Sequence, residues 1–311
     1  MAFETKHLPI TKAEMDALGW DAPDFVYVSG DAYVDQPSFG TAIISRVLES
    51  AGFRVAILPQ PDFRSKEAFT VFGEPKLGFL VSAGNIDSMV AHYAVSLKRR
   101  TYDYYSPGGK MGLRPDRATI VYTQRIREAY GKDMPVILGG LEASLRRFAH
   151  YDYWSDKMMK SVLVDSGADL LLYGMGEKTI VRVAELLQKG VPISKIRDVR
   201  GTVWLGKAGD AVHFPSVEIA PWKELQKQGD AYVEAFAIQY READSVRGKA
   251  IVEPYDNFIL VQNPPMPPLS TEELDRVYEL PYTREYHPSY EAEGGVPAIE
   301  EVKYSLVHNR G

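Results

Sequence analysis

The sequence has no cysteine, which excludes disulfides, thiol nucleophiles, zinc ribbons and cysteine-held iron–sulfur clusters within these residues. It also lacks an excess of positive charge. Lys and Arg number 36 against 42 Asp and Glu, for a net charge of -6. Nucleic-acid and anionic-lipid surfaces normally cluster Lys and Arg, so this balance argues against a nucleic-acid partner. No stretch approaches the ~20 apolar residues of a membrane span. Met1 to Trp20 has neither the basic start nor the unbroken apolar run of a signal peptide. A cytoplasmic protein without a membrane partner is the expectation.

Several motifs are missing too. Gly30 is followed by Asp31, Ala32 and Tyr33, so no G-x-G-x-x-G follows the first strand and a nicotinamide enzyme is disfavoured. Lys178 comes after Gly174-Met175-Gly176-Glu177, without the glycine spacing of a phosphate cradle. His7, His92, His150, His213, His287 and His308 are scattered, with no i, i+4 pair, so no metal site is expected.

What is present reads as an ordinary globular composition: 45% hydrophobic, 25% charged and 11% aromatic. The length of 311 residues exceeds the ~100 to 150 of a common single domain, so one large α/β domain with a smaller or incomplete second one is expected. Phe25 to Ser29 (FVYVS) is a strand-forming run. Ser38 then offers an N-cap, and Gly40, Ile43, Ile44, Val47, Leu48 and Ala51 form one helical stripe. Arg54 to Leu58 and Leu77 to Val81 repeat the strand pattern, and Asn85 is placed to cap a helix carrying Ile86, Met89, Val90, Tyr93, Ala94 and Leu97 on one face.

Thr101 to Pro115 is too rich in Gly and Pro for regular structure. Asp116 is read as the cap of a helix to Tyr130, with strands at Pro135 to Leu138 and Asp169 to Tyr173 and a helix at Glu177 to Leu187. Short apolar strands alternating with amphipathic helices predict a doubly wound, mostly parallel sheet of flavodoxin-like or Rossmann-like type over residues 1–200. An α/β extension follows over 201–262, with a hairpin of Thr202 to Leu205 and Ala211 to Phe214 and a helix after Pro221. In 263–311 come a proline-rich linker or extended arm (Asn263 to Leu269), a capping box at Ser270 to Glu273 and an alternating strand at Val302, Tyr304 and Leu306. That strand is read as the first of a further domain.

Ligands of such sheets sit at the carboxyl ends of the strands, which makes Gly30, Asp31, Asp35, Ser82, Gly84, Gly139, Gly140, Glu142, Gly174, Gly176 and Glu177 the candidate binding residues. Asp31 and Asp35 could hold a ribose or act as acid and base, or could shape a turn. Glycine there permits close approach of backbone to a ligand. Arg146 to Trp154 (RRFAHYDYW) could grip an anion or stack on a planar group, but a surface helix end packed by aromatic rings is the preferred reading. No catalytic residue is assigned.

A resemblance adds to this reading. GDAYVDQPSFG (Gly30 to Gly40), SPGGKMGLRPDRA (Ser106 to Ala118), ILGGLEASLRRFAHYDYW (Ile137 to Trp154), SGADLLLYGMGEKTI (Ser166 to Ile180) and the tail GGVPAIEEVKYSLVHNRG (Gly294 to Gly311) resemble the N-terminal region of the YgiQ family of radical S-adenosylmethionine (SAM) proteins. The resemblance implies that a C-x3-C-x2-C motif follows Arg310-Gly311 in that family and holds a 4Fe-4S cluster whose open iron binds SAM. None of those ligands can be carried over to a residue here. It implies an accessory module whose partner is its own radical SAM domain, acting on an unknown substrate, with no cofactor bound by these residues alone. The alternatives are a free-standing cofactor or nucleotide binder and a protein interaction domain. The glycines after strands four and five also resemble those of cobalamin-binding domains, but Asp31 to Asp35 offers no histidine in the D-x-H-x-x-G pattern that ligates cobalt. Cobalamin therefore stands only as an option.

Overall fold

The computed structural model describes residues 6–305. Its elements begin with α1 (Lys12–Ala17), β1 (Phe25–Ser29), α2 (Gly40–Ser50), β2 (Val55–Pro59), β3 (Gly78–Ser82) and α3 (Ser88–His92). They continue through α4 (Ala118–Tyr130), β4 (Val136–Leu138), α5 (Gly140–Leu145), β5 (His150–Asp152), β6 (Lys157–Met159), α6 (Val162–Ser166), β7 (Leu170–Leu172) and α7 (Glu177–Gln188). The last group is β8 (Thr202–Lys207), β9 (Ser216–Glu218), α8 (Trp222–Leu225), α9 (Asp230–Arg241), β10 (Ala250–Pro254), β11 (Phe258–Gln262), α10 (Thr271–Tyr278) and α11 (Ile299–Val302).

One nine-stranded sheet runs β2-β1-β3-β4-β7-β8-β11-β10-β9. The pairs among β2, β1, β3, β4 and β7 are all parallel, in the order of a flavodoxin-like doubly wound sheet. β8 enters antiparallel to β7, and β11 and β10 add two further antiparallel pairs. The sheet thus runs without a break into the expected 201–262 extension.

Alternation along β1 explains why both faces are covered. Val26 and Val28 point into a core with Phe79, Tyr122, Ile126 and Leu163. Phe25 and Tyr27 point into the opposite core with Leu48, Ile57, Ile180 and Val183. Burying one such side chain contributes roughly 1.5–3 kcal/mol. That burial, together with sheet pairing, secures strands as short as β4 and β7, which have too few residues to be stable alone.

The structure corrects several expectations at their ends. Phe39, not Ser38, occupies the N-cap of α2 and makes no side-chain cap bond. The Gly40 amide donates instead to Asn85 Oδ1 at 3.2 Å, so Asn85 caps a helix across the sheet and not the one that follows it. Asp87 caps α3, accepting from Met89 N at 2.9 Å. The helix expected to reach Leu97 stops at His92, because Val90 and Leu97 on its apolar face lie 47% and 52% exposed, and a short helix needs packing to persist. Asp116 accepts from the Tyr93 hydroxyl at 2.8 Å and leaves the cap position of α4 to Arg117.

β8 pairs with β7 and β11, while residues 211–214 form no strand, so the expected hairpin does not exist. The proline-rich segment is an arm fastened to the body: the Gly201 amide donates to Pro264 O at 2.8 Å and Arg200 Nε to Pro265 O at 2.9 Å. Ser270 and Glu273 form the expected capping box. Val302 ends a helical turn and Tyr304 is 88% exposed, so those two residues are not a strand. Leu306 onward lies outside the described residues. Arg146 to Trp154 starts at a helix end, with Arg146 at the C-cap of α5, and continues into β5 of the β5–β6 hairpin, where Arg146 is held between Asp87 and Asp152.

Candidate functional site

The parallel strands β1, β3, β4 and β7 end on one edge of the sheet, where the chain order reverses between β1 and β3. Two different regions meet there. At β1 and β3 the candidate carboxylates face inward. Asp31 Oδ2 accepts from the Asn85 amide at 2.6 Å and Oδ1 accepts from Arg114 Nη1 at 2.9 Å. Arg114, fully buried, also donates to Asp103 Oδ2 at 2.7 Å and Ala83 O at 2.9 Å. One guanidinium therefore serves two carboxylates. Burial pushes Asp31 up to about 6 against the pull of Arg114.

Asp35 is bound twice by Arg46, through Nε at 3.1 Å and Nη2 at 2.5 Å, and accepts from the Thr283 amide at 2.9 Å. Glu142 accepts from the amide and hydroxyl of Ser88 and from the amide and hydroxyl of Thr119 at 2.5–3.1 Å, so one carboxylate ties the first turns of α3 and α4 to α5. Gly30 and Gly84 belong to this region as well. A Cβ on Gly30 would meet Ala83 O at 2.2 Å, and one on Gly84 would meet Asp31 Oδ1 at 2.0 Å. These two glycines admit the protein's own atoms, not a ligand.

At β4 and β7 the edge is open. A cavity of about 120 Å³ lies between the strand ends and helices α2 and α7, lined by Gly139, Gly140, Gly174, Gly176 and Glu177 together with Gly40, Tyr27, Ile43, Ile44 and Ile180 and strand residues such as Leu80 and Ile137. Gly174 has nothing within 4 Å of where a Cβ would stand. Ser82 is the bridge between the regions: its Oγ accepts from the Gly84 amide at 3.3 Å, and its Cβ lies 3.2 Å from a Cβ built on Gly140. Burial raises the pKa of Tyr27, while the neighbouring Ser82 and Thr41 side chains pull it the other way. The volume falls below the roughly 300–1,000 Å³ of sites for drug-sized ligands, so the cavity has room for one ring or apolar group of a larger ligand, the remainder lying outside it.

The structure therefore divides the candidates. Gly139, Gly140, Gly174, Gly176 and Glu177 line one cavity, while Asp31, Asp35, Glu142, Gly30 and Gly84 are consumed by internal ties. Sequence reasoning missed Tyr27, Ile44 and Ile180 as lining residues, since their spacing marks them only as core. It also missed Arg114, whose burial has no local signal. Among the described residues no group of three or more His, Cys, Asp or Glu could hold a metal ion. With no cysteine in the chain, the donors of a 4Fe-4S cluster are not among its residues. A cobalt-ligating histidine does not fit either: Asp31, Tyr33 and Asp35 occupy the loop after β1, buried and bonded internally.

A doubly wound, mostly parallel sheet with a glycine-lined opening at its carboxyl edge places the chain in the α/β class. Residues 7–305 match the family model described as radical SAM N-terminal, and the chain belongs to that family. A UPF0313 protein of Clostridium botulinum is 56% identical over 304 residues, covering 98% of this chain and 47% of the relative. One from Clostridium perfringens is 55% identical over 308 residues, covering 99% and 46%. The chain thus spans about half the length of the curated relatives it matches. Among solved structures, the radical SAM methyltransferase TsrM of Kitasatospora setae, determined with cobalamin and a [4Fe-4S] cluster bound, overlaps 59% of this chain and 27% of its own at 18% identity and a TM-score of 0.38. No helix among the described residues is long and apolar enough to cross a membrane.

Proposed function

We propose that the chain is the N-terminal accessory module of a radical SAM iron–sulfur protein, and that its carboxyl-edge loops dock against the C-terminal half its relatives carry and shield substrate there. The observation that carries this reading is the course of the last described segment, which is laid over that edge. The Arg284 amide donates to Asp35 O at 2.8 Å, the Gly108 amide to Gly295 O at 2.8 Å, the Ala298 amide to Tyr104 O at 2.9 Å and Gln36 Nε2 to Val302 O at 2.8 Å. Leu141 and Leu145, just after Gly139 and Gly140, are 45% and 62% exposed, and adjacent exposed apolar side chains mark interaction surfaces. In this reading residues 1–200 form the doubly wound unit, 201–262 its extension, and 263 onward the connection to the radical SAM domain. The cluster and SAM belong to the C-terminal half and supply the radical chemistry. This chain's part is to position substrate and exclude water.

The test mixes the chain with the separately produced C-terminal half of the Clostridium botulinum relative. A one-to-one complex on size exclusion, lost in the Leu141→Asp/Leu145→Asp variant, is expected; two independent species would overturn the reading. A second reading, a free-standing cofactor binder, draws on the cavity. Titrating hydroxocobalamin, flavin mononucleotide and SAM against the chain tests it by absorbance and fluorescence, and an absence of binding to all three removes it.

A further inference from the structure

We propose that the loop from Tyr93 to Lys110, with the β5–β6 hairpin beside it, forms a platform for single-stranded nucleic acid. The chain as a whole is acidic, with a net charge of -6, but this loop is not. It holds Lys98, Arg99, Arg100 and Lys110, all exposed, and one acid, Asp103. Asp103 is buried and bound by Arg114. None of the four cations forms an ion pair among the described residues. Unpaired cations collected on one loop of an acidic protein supply the phosphate-neutralising half of a nucleic-acid site.

Rings supply the other half. Tyr102 and Tyr104 are 44% and 57% exposed, with centroids 4.9 Å apart. Together with Val90 and Arg100 they line a depression of about 160 Å³. The hairpin brings Tyr153 and Trp154, 5.3 Å apart, up to the same loop: Trp154 lies 5.6 Å from Tyr93, and the Tyr153 hydroxyl donates to Val95 O at 2.7 Å. Exposed rings interleaved with guanidinium groups stack on unpaired bases, whose faces a duplex hides, so a single strand fits and a double helix does not. The platform sits on the carboxyl edge, beside the loops that hold the candidate cavity. Its occupancy by nucleic acid does not depend on the docking reading, because it is measured on this chain alone.

The test is fluorescence anisotropy of a labelled twelve-nucleotide oligouridine, the matching deoxyoligonucleotide and a duplex of the same length, titrated with the chain. The two single strands are expected to bind, and the RNA arm against the DNA arm shows whether the sugar is read. With four cations neutralised, affinity should fall roughly fiftyfold between 50 and 200 mM salt. Lys98→Glu/Arg99→Glu should weaken binding at least tenfold, and Tyr104→Ala about five- to fiftyfold. All three replaced residues are exposed, and circular dichroism checks that the variants remain folded. No binding at 50 mM salt, or binding that ignores the charge reversal, would overturn the proposal. So would equal binding of the duplex with Tyr104→Ala unchanged. Any of these results would leave the exposed Val95 and Leu97 as part of a protein-facing surface.

Discussion

The two halves of the carboxyl edge solve opposite problems with residues that look alike in sequence. Around β1 and β3 the loops are pulled tight by Asp31, Arg114, Asp103, Asp35 and Arg46, whose side chains bond one another or nearby amides, and by Glu142, which reaches back from α5 to Ser88. Around β4 and β7 the loops carry glycines that leave space. Asp31, Asp35 and Glu142 are held by guanidinium groups or helix amides, so their place at strand ends does not by itself mark a ligand site. In this chain the tied region forms a rim beside the open one.

The strongest way to break that contrast is to remove the counter-ion. Arg114→Met strands two buried carboxylates and is expected to cost about 3–5 kcal/mol in urea unfolding. Adding Asp31→Asn should recover part of that loss. If the single variant unfolds like the parent, the rim is not held by charge.

A buried acid without a guanidinium serves as the control. Glu253 accepts from Ala149 N at 2.9 Å, and burial pushes its pKa up to about 7 from 4.5. The folded state therefore holds a proton that the unfolded state releases, so stability falls as pH rises from about 4.5 to about 7 and levels off above that. At about 1.4 kcal/mol per pKa unit the fall is on the order of 3 kcal/mol. Glu253→Gln should flatten that part of the profile and be the more stable protein at pH 8. An unchanged profile would show that Glu253 ionises freely.

Glycine substitutions sharpen the contrast at smaller scale. Gly84→Ala drives a Cβ into the Asp31 carboxylate and should cost about 2–4 kcal/mol, combining overpacking with left-handed backbone strain. Gly174→Ala meets no neighbour and should cost only the strain, about 1–2 kcal/mol. Thermal denaturation of the pair measures the difference, and equal costs would mean that both loops are equally packed. The smallest expected effect on stability is that of Ile44→Val, a loss of about 1 kcal/mol, while any ligand bound in the cavity that Ile44 lines should bind more weakly.

Much of the fold is legible in the sequence because its signals are local. FVYVS, the stripe from Gly40 to Ala51 and the Ser270 to Glu273 box each carry a period or a cap within a few residues, and each forms its expected element. The site is half legible. Glycines at the ends of β4 and β7 point to the cavity, since backbone space needs only the glycine itself. The carboxylates mislead, because Arg114 and Arg46 lie 83 and 11 residues from the aspartates they hold.

The sequence by itself determined the doubly wound class, the parallel order of short apolar strands and the absence of any cysteine-held cluster, all properties of residue type and spacing. Only the tertiary structure decided that Asn85 caps α2, that the helix after it stops at His92 and that 211–214 is not a strand. It also decided which strand-end residues face a cavity and which face a buried counter-charge. Those outcomes depend on which distant segments meet, and pairing, burial and charge compensation between them are fixed only once the chain has folded.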